Sequence, residues 1–86
     1  MMNEMKKWGY NRAKYVEELS TRLGLRQEVF EEISDRDLFI VFHSFGFGYT
    51  PNLITLESIG NIFEISRQRV HFLRNRTIAK LKAQVA

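Results

Sequence analysis

The chain has 86 residues, 44% of them hydrophobic, with one proline, no cysteine and a formal net charge of +3. That length allows one domain, which on folding buries only roughly 60–65% of the surface its unfolded chain exposes, so a thin stability margin is expected. Disulfides and thiolate metal sites are excluded, no signal-peptide pattern opens the chain, and the longest apolar run, Leu38 to Phe42, is far below the ~20 residues of a membrane span.

Helical spacing dominates and strand alternation is absent. After a polar start, Trp8, Tyr15, Val16, Leu19 and Leu23 recur at helical spacing, and Gly24 stands where a left-handed residue would stop that helix. A second short helix is predicted over about Arg26 to Glu32, turning Val29, Phe30 and Ile33 inward. Ser34 reads as an N-cap, with Asp35 and Asp37 in the first turn, where the helix dipole favours acids. The third helix, about residues 35–45, is apolar on two stripes, one of Leu38, Val41 and Phe45, the other of Phe39, Phe42 and His43. A helix apolar all round belongs at the centre of a domain. Gly46 and Gly48 are predicted to end it, and YTPNLI to form an irregular connection, because Pro51 drives Thr50 out of helical space.

The last third differs in character. Residues 1–64 hold seven Lys/Arg against all ten Asp/Glu, whereas residues 65–86 hold six Lys/Arg and no acid. The basic end is the candidate anion-binding surface, and a solvated cationic helix end is the plainer alternative. Thr55 is placed to cap LESIGNIF and Ser66 to cap RQRVHFLRNRTIAKLKAQ, with only Glu64 and Ile65 between them, which is helix-turn-helix spacing. Such a unit needs apolar residues where its helices cross, here Ile59, Phe63, Ile65, Val70 and Leu73. It also needs one very small residue in the first helix, here Gly60. Glu64 falls in the turn, where many such motifs place glycine at positive φ, at a cost on the order of 1 kcal/mol. The expected fold is all-α, four to five short helices ending in a helix-turn-helix. Residues 1–33 form an N-terminal helical extension and residues 34–86 the helix-turn-helix unit, within a single domain 1–86.

ISDRDLFIVFHSFGF, TLESIGNIFEISRQRV and IAKLK together resemble region 4 of the sigma-70 family of bacterial RNA polymerase sigma factors, over residues 33–82. The match is specific through TLESIG and ISRQRV and loose elsewhere; LuxR-type response-regulator output domains and small YlxM-like proteins share the four-helix layout, and SRQRV directly after the IG-containing helix, at the sigma spacing, favours region 4. The resemblance implies a second helix placed in the major groove of the upstream (−35) promoter element, and docking on the β flap of RNA polymerase. Departures fall on the reading face. Gln68 stands where the family usually has Glu, His71 where it has Arg, and Phe72 where it has Gln, while Arg67 is retained. The family's base preference therefore does not carry over.

Candidate base readers are Arg67, Gln68, His71 and Phe72: arginine pairs with guanine, glutamine with adenine, and an apolar ring with a thymine methyl. Candidate phosphate contacts are Thr55, Ser66, Arg69, Arg74, Arg76 and Lys80, with Lys82 beyond them. Phe72 has three readings: a base contact, an anchor for a protein partner, or a core residue of a rotated helix, the last opposed by the inward phase of Val70, Leu73, Thr77 and Leu81. Phe39 and Phe42 occupy positions usually charged in the family. Either the N-terminal helices cover them through Trp8, Tyr15, Val16 and Leu19, or part of that stripe stays open for a partner. His43 and His71 lack metal-ligand spacing, no nucleophile–base set or phosphate loop occurs, and neither catalysis nor a cofactor is expected.

The expected function is transcriptional: an accessory or split sigma subunit, since 86 residues leave no room for the family's promoter-melting region. The expected location is the bacterial cytoplasm, with the chain host- or phage-encoded. The alternative is a region 4 mimic that binds RNA polymerase or an anti-sigma-type protein without reading DNA.

Overall fold

The computed structural model describes residues 2–44 and 54–85. Among the described residues five α-helices follow one another: α1 (Met2–Lys7), α2 (Arg12–Leu23), α3 (Asp35–Ser44), α4 (Leu56–Phe63) and α5 (Arg67–Val85). A 3-10 turn over Gln27–Phe30 joins α2 to α3, and no strand occurs among the described residues. No described helix is long and apolar enough to cross a membrane. Phe45, Gly46, Gly48, Thr50 and Pro51, on which the end of α3 and the irregular connection were predicted, lie outside the described residues.

The all-round apolar helix is the centre. Every residue from Asp37 to His43 is buried, and α2 and α5 pack against α3. Its start is local chemistry, since the Asp37 N–H donates to Ser34 Oγ at 3.2 Å and so occupies one of the amides that a helix end leaves unpaired. The segment predicted as a short helix before it is a single 3-10 turn, and Phe30 and Ile33 are buried as expected while Val29 is partly so.

The N-terminal stripe departs from expectation. Its spacing suggested one face from Trp8 to Leu23, but α1 ends at Lys7, Gly9 turns the chain at φ 80°, and Asn11 caps a new helix by accepting the Lys14 N–H at 3.1 Å. Trp8 therefore sits in the connection, 40% exposed, edge-on to the His43 ring with centroids 6.1 Å apart. Leu23, beside the left-handed Gly24, is 42% exposed. Met5 fills the space instead, beside Tyr15 and Leu19 of the predicted stripe, which are buried, and Tyr10, which is partly buried.

This layer closes the second stripe of α3. The Tyr15 ring stacks on Phe42 with centroids 3.7 Å apart, Phe39 tilts against His43 at 4.3 Å, and Phe63 of α4 meets Phe39 edge-on at 5.6 Å. Phe39 and Phe42 are thus core residues, covered by the N-terminal segment as the first of the two readings had it, and the alternative of an open partner surface at Phe39 and Phe42 is corrected: Tyr15 of α2 and Tyr10 before it occupy that face within the same chain. The Tyr15 hydroxyl meets His43 Nε2 at 2.7 Å, which satisfies two polar groups inside an apolar cluster, and burial pushes the Tyr15 pKa up to about 12.

One polar pin fastens the extension. Arg12 donates to Asp35 Oδ1 at 3.0 Å and to the carbonyls of Phe30 and Ile33 at 2.8 and 2.7 Å, and the Tyr10 hydroxyl donates to the same Asp35 oxygen. The Tyr10 hydrogen bond, then the bond to Arg12 and its charge, hold the Asp35 carboxyl below its ordinary 3.8 against the opposing effect of burial. A depressed carboxylate pKa contributes stability that is present above the unfolded value and lost as pH falls through the folded one. Urea midpoints should therefore fall as the pH drops below about 4, and Asp35→Asn should flatten that fall while lowering the midpoint at neutral pH.

Candidate nucleic-acid interface

The interface is built on the corner between α4 and α5. Thr55 starts α4, its Oγ1 accepting the Ser58 N–H at 3.1 Å and donating to Ser58 Oγ at 2.9 Å. Ser66 starts α5, accepting the Arg69 N–H at 3.1 Å. Between them Glu64 adopts the left-handed conformation at φ 57°, and the Ile65 N–H bonds back to the Gly60 carbonyl at 2.9 Å. A Cβ on Gly60 would stand 2.5 Å from the Ile65 backbone oxygen. The turn can approach α4 only because that position has no side chain. Ile59, Phe63, Val70 and Leu73 are buried at the crossing, with Ile65 partly buried beside them.

With the corner fixed, the phase of α5 follows. Val70, Leu73, Thr77 and Leu81 are buried, and Thr77 Oγ1 spends its proton on the Leu73 carbonyl at 2.9 Å. A helix advances about 100° per residue, so the line opposite this stripe runs through Gln68, Phe72, Asn75 and Ala79, all exposed. Cations border the line on both sides. Arg69, Arg76 and Lys80 lie on one flank; Arg67, Arg74 and, farther along, Lys82 lie on the other, with His71 between that flank and the centre. No acid occurs in residues 65–86, so the whole outward surface of α5 is cationic at its edges and neutral along its middle.

The candidate base readers fall together. Arg67, Gln68, His71 and Phe72 are exposed on the first two turns, and His71 Nε2 lies 3.1 Å from Asn75 Nδ2. Phe72 is 52% exposed, so the reading that placed it in the core is excluded. Its ring is bracketed along the helix by two guanidinium groups, Arg69 at 5.3 Å and Arg76 at 5.7 Å from the ring centroid. That is cation–π range, where the positive charge sits over the electron-rich ring.

Among the candidate phosphate contacts, Arg69 and Lys80 are exposed and Arg74 is half-buried on the opposite flank. Thr55 and Ser66 are exposed, with their hydroxyls engaged as caps. Arg76 has a different setting from the one expected of a phosphate contact: its Nη2 lies 3.7 Å from Oδ2 of Asp37, a buried carboxylate on α3 whose Oδ1 accepts Arg36 Nε at 3.2 Å. Sequence reading missed Asp37 and Asn75 as parts of this surface. Asn75 was within reach, three residues beyond Phe72 on the outward line. Asp37 was not, because its link to Arg76 crosses between helices far apart in the chain. Compared with protein-family models, curated proteins and solved structures, the chain finds no match.

Proposed function

We propose that the chain is a sigma region 4-like transcription module that binds promoter-type duplex DNA through α5 and contacts RNA polymerase. The observation that carries the DNA part is the cross-section of α5: a neutral line of Gln68, Phe72 and Asn75 flanked on both sides by cations. A major groove has the matching section, base edges in the middle and a phosphate strand on each rim. Ser66 starts the helix so that Arg67 and Gln68 lead it, and the first turns of a recognition helix are the ones that reach base edges. The cap, the left-handed Glu64 and the close approach at Gly60 supply the corner that such a helix pair needs. The polymerase part of the reading comes from the resemblance over residues 33–82, and the β flap is the proposed surface.

Titration against a randomised pool of duplexes, followed by titration of the recovered sequence at several salt concentrations, tests the DNA part. Arg69, Arg74, Lys80 and Lys82 supply the phosphate contacts, so log affinity should fall against log salt with a slope of about −3 to −4. Recovery of no preferred sequence together with a flat slope would refute it. The exposed Phe72 favours one second reading, a region 4 mimic that uses this ring to hold a protein. Co-purification of the polymerase β subunit from bacterial lysate, retained by Arg67→Ala but lost with Phe72→Ala, would select the mimic.

A further inference from the structure

We propose that Phe72 reads the C5 methyl group of a pyrimidine in the major groove, and that Asp37, acting through Arg76, positions the ring to do so. The inference rests on the reading of α5 as the groove-entering helix and deepens it. Base edges in the major groove offer donors, acceptors and one aliphatic feature, the pyrimidine methyl. Phe72 has neither a donor nor an acceptor, and it lies on the outward line between Gln68 and Asn75, with cations on both flanks. An apolar ring at the centre of a cationic helix face meets its complement on that methyl, while the flanking cations meet the phosphates.

The ring is not left to swing. Arg69, one turn before it, and Arg76, one turn after it, bracket it within cation–π distance. Of the two, Arg76 is itself anchored, its guanidinium lying between the Phe72 ring and the buried Asp37 carboxylate of α3. Asp37 is in turn fixed by Arg36 and by its own place in the Ser34-capped first turn. A chain of contacts thus runs from the centre of the domain to the reading ring. This explains a carboxylate that points at α5 from within the core, and it gives Arg76 a role other than holding phosphate. Pre-ordering the ring saves the side-chain entropy that binding would otherwise cost.

Thymine and 5-methylcytosine carry the same methyl, and matched duplexes separate them. On the preferred duplex, thymine is replaced by deoxyuridine one position at a time, and cytosine by 5-methylcytosine likewise, so that each comparison changes one methyl alone. Wild-type protein should show a ratio of about fourfold at one position, the effect of burying one methyl group, and Phe72→Ala should bring that ratio to one. A ratio in the deoxyuridine arm assigns the contact to a T·A pair, and a ratio in the 5-methylcytosine arm assigns it to a methylated C·G pair. Asp37→Asn and Arg76→Gln should both shrink the ratio while leaving Phe72 in place. Arg76, which is exposed, serves if Asp37→Asn does not fold by circular dichroism. Sequence-preferring binding with no methyl dependence at any position, or methyl dependence that survives Phe72→Ala, overturns the inference while leaving the DNA reading standing. A ratio unchanged by Arg76→Gln overturns the positioning role. Absence of any preferred duplex overturns the DNA reading and this inference with it.

Discussion

Phe39→Ala is expected to leave little folded protein at physiological temperature. Phe39 is fully buried where three helices meet, touching the rings of Tyr15 on α2, His43 on α3 and Phe63 on α4. Truncating a core phenylalanine costs about 3–5 kcal/mol, through lost burial and the cavity left behind. Domains generally hold about 5–15 kcal/mol in reserve, and a short chain sits at the low end of that range. At about 4–8 °C per kcal/mol, a thermal melt followed by circular dichroism should shift down by about 15–30 °C. Phe39→Leu, which keeps most of the volume, should cost far less. A shift of only a few degrees for the alanine variant would mean that Tyr15 of α2 and Phe63 of α4 do not pack on α3 in this way.

The second large effect is expected at Gly60. A Cβ there would meet the Ile65 backbone oxygen at 2.5 Å, a contact that backbone cannot relieve by rotating a side chain. Gly60→Ala should cost about 1–3 kcal/mol as α4 and the turn are forced apart, and Gly60→Val more, since a branched residue adds two further methyls to the same space. Because the displaced group is the turn that aims α5, DNA affinity should fall further than stability does. Comparing the two variants with a surface change of equal size on α4, such as Asn61→Val, separates the two: Asn61 is exposed, and its replacement should leave both melting and binding nearly unchanged. Equal tolerance at the two positions would contradict the close approach.

Much of this architecture was legible in the sequence because its signals are local. Ser34, Thr55 and Ser66 each read as a cap within three residues of the amide they accept, and each does so. Gly24 and Glu64 were placed in left-handed turns by the end of one periodic segment and the start of the next, and both are found there. The all-round apolarity of residues 38–42 marked α3 as central. What escaped were features without a local period. Met5 and Tyr10 lie in a polar opening segment, and Asn11 restarts a helix in the middle of what looked like one continuous stripe. The pin of Arg12 on Asp35 spans 23 residues, and no spacing rule connects them. The same holds for the site. The inward phase of α5 fixed which residues face out, so Arg67, Gln68, His71 and Phe72 emerged together. The tie of Arg76 to Asp37 depends on how α5 crosses α3, which becomes visible only once both helices are placed.

That α5 reads base edges is tested most directly by comparing the preferred duplex with an unrelated one for wild-type protein and for the double variant Arg67→Ala/Gln68→Ala, using fluorescence anisotropy at fixed salt. If Arg67 pairs with guanine and Gln68 with adenine as proposed, each contact contributes about 1–3 kcal/mol of discrimination, so the variant should lose at least tenfold of its preference. Its affinity for the unrelated duplex, carried mainly by Arg69, Arg74, Lys80 and Lys82, should change less than the preference does. An unchanged preference, or an equal loss on both duplexes, would contradict base reading by this helix.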